Sequence, residues 1–226
     1  HFRIVNLMLI VSLITLKNVK KEYGKNQVLF ENLSLEIEKG EFVGLVGKSG
    51  AGKTTLLNII GLITDISEGT ITIDSHKNLS MNGKNAMILR RYTIGYLFQN
   101  YGLIEDESVL WNLKLALEYK KVKKEEKLKL INKYLKQFEL SDMLNKKVYQ
   151  LSGGEQQRIA IIKLILQGSQ VILADEPTSG LDKENELIVM KLLKELNEKG
   201  ITIIMVTHNM NLCDCFSRVI NVENFR

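Results

Sequence analysis

A glycine-rich segment, residues 47–54, has the pattern of a phosphate-binding loop. It matches G-x-x-x-x-G-K-[ST] at every fixed position and lies between the apolar run Phe42–Val46 and a stretch with helical spacing. Glycines let backbone N–H groups turn toward an anion, and the helix that follows points its positive end at the same place. We expect Lys53 to reach the β- and γ-phosphates of a nucleotide and Thr54 to bind Mg²⁺. The candidate nucleotide contacts here are Gly47, Lys48, Ser49, Gly50, Ala51, Gly52, Lys53, Thr54 and Thr55.

Two acidic residues and one histidine follow two further apolar runs. Asp175 and Glu176 come directly after residues 171–174, and His208 comes shortly after residues 201–206. The ends of parallel strands meet at one edge of a sheet, so these side chains are expected near the phosphate loop. Asp175 is the candidate metal ligand, and Glu176 is placed to activate a water that attacks the γ-phosphate. With Lys53, the predicted catalytic residues are Glu176 and His208.

A second segment, residues 151–158, reads LSGGEQQR and also has the features of a phosphate site. Ser152 and Glu155 form a capping box at the start of a predicted helix. Gly153 and Gly154 would weaken the first turn, so we interpret them as allowing close approach to a ligand. One nucleotide has no obvious way to use both segments of a single chain.

These segments require a scaffold of buried strands and covering helices, and the composition allows one. The 226 residues are 45% hydrophobic and 25% charged, with one proline, which fits a single α/β domain over residues 1–226. Short buried runs separated by helical patterns predict a mostly parallel sheet with helices on both faces. Alternating residues at 33–37 and 71–73 predict an additional antiparallel β subdomain. The net charge of +5 is too small to require a nucleic-acid partner.

Residues 107–147 contain no strand-like run, and we interpret 99–148 as a helical subdomain inserted between core segments 12–98 and 149–226. Its lysines would suit lipid headgroups or nucleic acid, but such a run is more often the solvated face of a helix. They are Lys120, Lys121, Lys123, Lys124, Lys127, Lys129 and Lys133. The C-x-C pair, Cys213 and Cys215, is a poor zinc site and predicts two reduced thiols.

The amino-terminal part of the sequence is interpreted from its hydropathy. The apolar run 7–14 is too short to span a bilayer, and we expect no membrane-spanning segment in this chain. Residues 12–19 are predicted to form the first strand. Residues 1–11 are set apart as a candidate additional segment.

Taken together, these motifs resemble the ATP-binding-cassette family over nearly the whole chain, with 151–158 matching its signature. The resemblance implies a P-loop NTPase core that binds ATP and Mg²⁺ and forms an ATP-dependent homodimer. It implies that Ser152, Gly153, Gly154 and Glu155 contact the nucleotide bound to the partner chain. It further implies that Tyr23 stacks on adenine, that Gln99 meets Mg²⁺, that the loop at Asp182 crosses the dimer interface and that His208 is the switch histidine.

The family resemblance also implies a separate transmembrane permease subunit and a peripheral position at the cytoplasmic face of the membrane. Residues 89–103 are similar to the bacterial class that serves macrolide export, lipoprotein release and cell-division signalling. Peptide or antimicrobial export is the cargo hypothesis. The alternative is a cell-division-type ATPase that works a membrane protein without moving substrate. A cassette acting on DNA or ribosomes is disfavoured, because such proteins carry extra modules that this sequence lacks. Departures at residues 103–107, at 161–164 and at Asn209 leave the transporter class open.

Overall fold

Two sheets of different type organise the chain in the computed structural model, which describes residues 12–24 and 27–225. The strands are β1 (Ser12–Tyr23), β2 (Gln27–Glu38), β3 (Phe42–Val46), β4 (Glu68–Ile73), β5 (Ile94–Leu97), β6 (Val171–Asp175), β7 (Thr202–Val206) and β8 (Arg218–Asn221). Strands β2-β1-β4 form an antiparallel sheet, and β5-β6-β7-β3-β8 form a parallel one. Both sheets were predicted, and the strands at 42–46 and 94–97 have the predicted bounds.

Successive residues of the parallel strands enter opposite cores, because side chains alternate across a sheet. Val171 and Leu173 of β6 pack into the core that lies against the antiparallel sheet. Ile172 and Ala174 of the same strand pack into the second core. All four are buried, as the uninterrupted apolar run predicts for a strand covered on both faces.

Helices cover both faces of the parallel sheet. They are α1 (Lys53–Ile60), α2 (Lys84–Tyr92), α3 (Val109–Ala116), α4 (Lys124–Gln137), α5 (Gly153–Gln167) and α6 (Lys183–Glu198). Helices α1 and α2 contribute to the first core, and α3 to α6 contribute to the second. Short 3₁₀ helices occupy Ser141–Met143, Val148–Gln150, Met210–Cys215 and Val222–Phe225. The α/β prediction is confirmed.

The region at 107–147 is helical, with α3 and α4 as its main elements. In α4 the buried residues are Ile131 and Leu135, whereas Leu128 is exposed. Helices α3 and α4 share one core with α5 and the sheet, so the division into a separate subdomain at 99–148 stays a prediction.

Three further sequence predictions concern the amino-terminal segment, membrane-spanning helices and the two cysteines. The segment 1–11 lies outside the described residues. Among the helices in the described part of the chain, none has both the length and the apolar character that crossing a bilayer requires. Cys213 and Cys215 are free thiols, and both lie in the 3₁₀ helix that follows β7.

Candidate functional site

The glycine-rich loop turns back on itself between β3 and α1. Gly52 is the residue before α1, and its φ of 97° is in the left-handed region that favours glycine. A Cβ atom on Gly52 would lie only 2.8 Å from the ring of Phe30, so packing requires glycine there as well. The Lys53 ammonium group, which is nearly buried, donates hydrogen bonds to the carbonyls of Gly47 (2.8 Å) and Lys48 (2.9 Å). The loop therefore holds a positive charge, which is what a phosphate-binding site needs.

A hydroxyl and a carboxylate oxygen meet beside this loop. The Thr54 hydroxyl donates to Asp175 Oδ1 at 3.3 Å, joining the start of α1 to the end of β6. Burial raises the pKa of the Asp175 carboxyl group, and the Glu176 charge acts in the same direction, whereas the Thr54 hydrogen bond and the Lys53 charge oppose this rise. Mg²⁺ prefers oxygen ligands such as carboxylates. The Thr54 hydroxyl and the Asp175 carboxylate supply such oxygens side by side, so the residues present fit that ion.

Gln99 lies two residues beyond β5, the strand that pairs with β6. Because Leu97 is in register with Ala174, Gln99 follows β5 at the same edge of the sheet where Asp175 follows Ala174. The Gln99 side chain is exposed. The third predicted metal ligand is therefore on the correct edge and open to a ligand.

Glu176 and His208, which follow the neighbouring strands β6 and β7, are in side-chain contact. His208 Nδ1 lies 2.9 Å from Glu176 Oε2. Glu176 has a φ of 46°, an uncommon backbone conformation for a non-glycine residue, and its amide donates to the Val206 carbonyl of β7. The pair borders a cleft of about 530 Å³ that Ser179 and Gly180 also line. Such held strain is typical of functional positions.

Tyr23 ends β1 close to the start of α1. Its hydroxyl lies 3.4 Å from the Thr55 hydroxyl, and its side chain is half exposed. The Lys21 ammonium group lies 4.8 Å from the centre of the ring. The structure therefore places an accessible aromatic ring beside the phosphate loop, where the predicted adenine contact requires it.

The segment Ser152–Glu155 begins helix α5 as a complete capping box. Ser152 Oγ accepts from the Glu155 amide at 3.3 Å, and Glu155 Oε2 accepts from the Ser152 amide at 2.7 Å. This local geometry is as the sequence predicts. The capping box bonds the amides of Ser152 and Glu155. The N-terminus of α5 also has the positive end of the helix dipole, which favours an anion.

The two glycines of this segment have a reason that sequence reasoning missed. A Cβ on Gly153 would lie 2.7 Å from the Tyr101 hydroxyl oxygen and 3.4 Å from the Leu181 side chain. A Cβ on Gly154 would overlap the side-chain amide of Asn185. Close approach to a ligand is therefore not the only reason for glycine here, because a Cβ at either position would force a side chain of the same chain to move.

Asp182 is the N-cap of helix α6, and its predicted place at a dimer interface stays a prediction. Its carboxylate accepts from the Asn185 backbone amide at 2.8 Å and from the Asn185 side chain at 2.9 and 3.1 Å. These hydrogen bonds, the backbone one first, lower the pKa of Asp182. The only sequence signal for Asn185 was its spacing of three residues from a capping Asp, which does not reveal the contact with Gly154.

Comparison with known proteins agrees with this geometry. The protein-family model described as ABC transporter matches residues 30–179. The chain belongs to the ABC transporter family. It is an ABC ATPase domain, and ATP is its nucleotide.

Two curated relatives illustrate how the cassette occurs. The chain is 41% identical over 212 residues to the macrolide export ATP-binding/permease protein MacB of Campylobacter jejuni, covering 94% of this chain and 33% of that protein. It is 40% identical over 215 residues to an uncharacterised ABC transporter ATP-binding protein of Methanocaldococcus jannaschii, covering 94% and 96%. The chain therefore spans about a third of the length of the MacB proteins it matches.

Solved cassettes have the same fold. The dimeric structure of the ABC transporter cassette MJ0796 matches with a TM-score of 0.83 and 39% identity, covering 92% of this chain and 93% of that one. A dimeric post-hydrolysis structure of the same cassette, bound to ADP and phosphate, matches with a TM-score of 0.82 and 38% identity, again covering 92% and 93%.

Proposed function

We propose that this chain is the ATP-binding and hydrolysing subunit of a bacterial ABC transporter. Two copies close head to tail around two Mg-ATP molecules, and closure drives a separate transmembrane permease from the cytoplasmic face of the membrane. The observation that carries the proposal is the pairing of Glu176 with His208 beside Lys53, Thr54 and Asp175 at one edge of the parallel sheet.

The groups around the glycine-rich loop bind and polarise the nucleotide. Lys53 exchanges its carbonyl partners for phosphate oxygens, and Tyr23 stacks on the adenine. Thr54, Asp175 and Gln99 would hold Mg²⁺, which would neutralise charge on the phosphates and orient them. In this proposal Glu176, which directly follows β6, is the carboxylate that acts beside the γ-phosphate.

Glu176 and His208 act on the hydrolytic step. Glu176 accepts a proton from the attacking water, so that an O–P bond forms as the bond to the ADP oxygen breaks. A carboxylate can only accept a hydrogen bond, so Nδ1 of His208 carries a proton in their contact. When both ring nitrogens of His208 carry a proton, Nε2 can donate to the γ-phosphate. The two side chains therefore orient each other.

The second cradle serves the other chain. Its glycines contact Tyr101, Leu181 and Asn185 in this chain, and none of these three residues belongs to the phosphate loop. We infer that Ser152, Gly153, Gly154 and Glu155 face the γ-phosphate held by a partner's phosphate loop. Asp182, on the loop just before α6, then lies at the interface between the two copies.

Stalling hydrolysis tests this function. Glu176→Gln keeps the size of the side chain but removes the base, so it should bind ATP, hydrolyse it at least about 100-fold more slowly and accumulate as a dimer. Sedimentation of the purified variant with ATP or with ADP measures this. The proposal expects a dimer with ATP and a monomer with ADP. Normal hydrolysis by the variant, or no ATP-dependent dimer, would overturn it.

The permease is proposed to dock in a groove beside the loop that carries Gln99. Two adjoining cavities of about 340 and 260 Å³ share Arg90, Lys163 and Gln167 as lining residues. Exposed apolar and aromatic side chains of Met87, Tyr92, Leu115 and Tyr119 border the larger one. Contiguous exposed apolar surface of this kind marks an interaction site. The relatives support such a partner, because MacB is named an ATP-binding and permease protein.

A matched pair of substitutions tests the docking groove. Tyr119→Ser should abolish co-purification with the permease while leaving the ATPase activity of the isolated chain unchanged. Val219→Ser is the control, because Val219 is similarly exposed but lies on β8, at the opposite edge of the sheet from β5. Equal retention of the permease by both variants would rule out this groove. Identifying the co-purified permease would also test our proposed cargo class, the export of a peptide or antimicrobial compound.

A further inference from the structure

The loop that follows Gln99 is folded onto the beginning of helix α5. Tyr101 and Gly102 have φ values of 64° and 61°, and two consecutive left-handed residues reverse the chain there. This reversal brings the Tyr101 hydroxyl against Gly153, where a Cβ would be 2.7 Å away. The loop of the first nucleotide site is thus in direct contact with Gly153 of the second cradle.

A second contact fixes the same loop further along α5. Lys163 donates a hydrogen bond of 2.8 Å to the Gly102 carbonyl. Ten residues separate Gly153 from Lys163, which is about 15 Å of helix. The Lys163 side chain is partly buried, and this burial lowers the pKa of its ammonium group.

Helix α5 is also tied to the loop that follows Glu176. Gln157 is fully buried, and its Nε2 donates to the Pro177 carbonyl at 2.6 Å. Pro177 comes directly after Glu176. One helix therefore begins with the cradle for a partner's nucleotide and bonds to both loops that carry Gln99 and Glu176 of its own site.

We propose that Tyr101 and Lys163 are positioning residues that make the Gln99 loop and helix α5 move as one body. A nucleotide bound to the chain's own phosphate loop then sets where that chain presents Ser152–Gly154 to the partner's nucleotide. Two anchors are needed, because a single contact would leave the helix free to pivot about it. This inference rests on the proposed function, since it requires the shared dimer site.

The contacts predict a separation between nucleotide binding and dimerisation. Neither side chain belongs to the chain's own nucleotide contacts, so ATP affinity of the monomer should stay within about twofold of the parent. Loss of an anchor lets the cradle move independently, so the ATP-dependent dimer should weaken by about fivefold or more, the usual scale of coupling between sites. A role in packing alone would not produce this separation.

Both anchors are tested in the Glu176→Gln background, which holds the dimer. Lys163→Met removes the hydrogen bond and keeps the length of the side chain, and Tyr101→Phe removes only the hydroxyl. Titration with fluorescent ATP at low protein concentration measures monomer affinity, and sedimentation measures dimerisation. Lys163→Arg should retain most of the parent's dimerisation, because it restores a donor. Lys133→Met, on the exposed face of α4, and Tyr149→Phe, on an exposed ring, are the controls.

The outcomes separate the two proposals. Weakened dimerisation with unchanged monomer affinity and rescue by Lys163→Arg supports the positioning role. Unchanged dimerisation in both Lys163→Met and Tyr101→Phe overturns it and leaves the proposed function intact. Equal losses in Lys163→Met and Lys163→Arg with a matching fall in melting temperature also overturn it, because they indicate packing alone. Absence of an ATP-dependent dimer in the Glu176→Gln parent refutes both.

Discussion

His208 Nδ1 lies 2.9 Å from Glu176 Oε2, joining the residues that follow the neighbouring strands β6 and β7. Each side chain fixes the orientation of the other before any nucleotide binds. Glu176 is further restrained by its left-handed backbone and by its amide bond to Val206. The fold therefore holds Glu176 and His208, our proposed hydrolytic pair, in contact with each other.

Removing the histidine should slow hydrolysis without preventing binding. We expect His208→Ala to lower kcat by about 100-fold or more, because one preorganised donor at a developing charge contributes that much. Its ATP affinity should change little. Steady-state hydrolysis and nucleotide titration measure the two quantities, with His76→Ala, at a partly exposed histidine after β4, as a control that keeps full activity. A His208→Ala enzyme with normal kcat would show that the pair has no hydrolytic role.

Lys53 should dominate phosphate binding. Its ammonium group already lies inside the loop, and a hydrogen bond to a charged group contributes about 1.5–3 kcal/mol, so Lys53→Ala should weaken ATP binding roughly ten- to hundredfold. Calorimetric titration measures the dissociation constant. Lys39→Ala is the matched control, because Lys39 is an exposed lysine at the opposite end of β3. Equal affinity in the two variants would contradict the cradle.

Most strands of the parallel sheet could be predicted from the sequence, but strand β8 could not. Parallel strands buried on both faces are uninterrupted apolar runs, so residues 42–46 and 94–97 were recognisable. Strand β8 was missed because it is an edge strand in which only Ile220 is buried, leaving no periodic signal. The convergence of Asp175, Glu176 and His208 followed from the rule that parallel strand ends meet at one edge.

Contacts between distant segments could not be predicted in the same way. No local pattern places Tyr101 against Gly153 or Asn185 against Gly154, because each depends on how α5 packs against loops remote in sequence. The glycines of the second cradle were assigned to ligand approach for that reason. The left-handed backbone of Glu176 is likewise set by its bond to β7 and leaves no trace in the sequence.

Asp175 should cost stability when no metal is bound, and the cost should depend on pH. Burial raises the pKa of this carboxyl group in the folded state, so its charged form is penalised there. The penalty is absent below the unfolded pKa, grows as pH rises from the unfolded to the raised folded pKa, and is full above the folded pKa. Asp175→Asn should therefore raise the melting temperature at neutral pH and lose that advantage as pH falls toward 4, near the ordinary pKa of Asp.

Thermal melts of both proteins without Mg²⁺ measure this difference. An advantage for Asp175→Asn that is constant across the pH range would show that the carboxylate is not desolvated. The same variant should lose Mg²⁺-dependent hydrolysis, because an amide is a weaker metal ligand than a carboxylate.

Gly154 and Asn185 should be energetically coupled. Gly154→Ala forces the Asn185 amide out of its hydrogen bonds with Asp182, which should lower the free energy of unfolding by about 1–3 kcal/mol. Asn185→Ser removes the obstructing amide and keeps the backbone cap, so the Gly154→Ala cost should shrink in the double variant. A double-mutant cycle from urea unfolding measures the coupling. Additive effects would mean that the two side chains do not interfere.

The most direct test of the shared ATP site is complementation between two inactive chains. Lys53→Ala disables the phosphate loop, and Ser152→Asp keeps a good N-cap for α5 but places a negative charge against the partner's γ-phosphate. Each variant alone should be inactive. Mixed in equal amounts they should recover up to roughly a quarter of wild-type ATPase activity, because half of the dimers are mixed and each has one intact site. No recovery in the mixture of these two folded variants would contradict a site built from two chains.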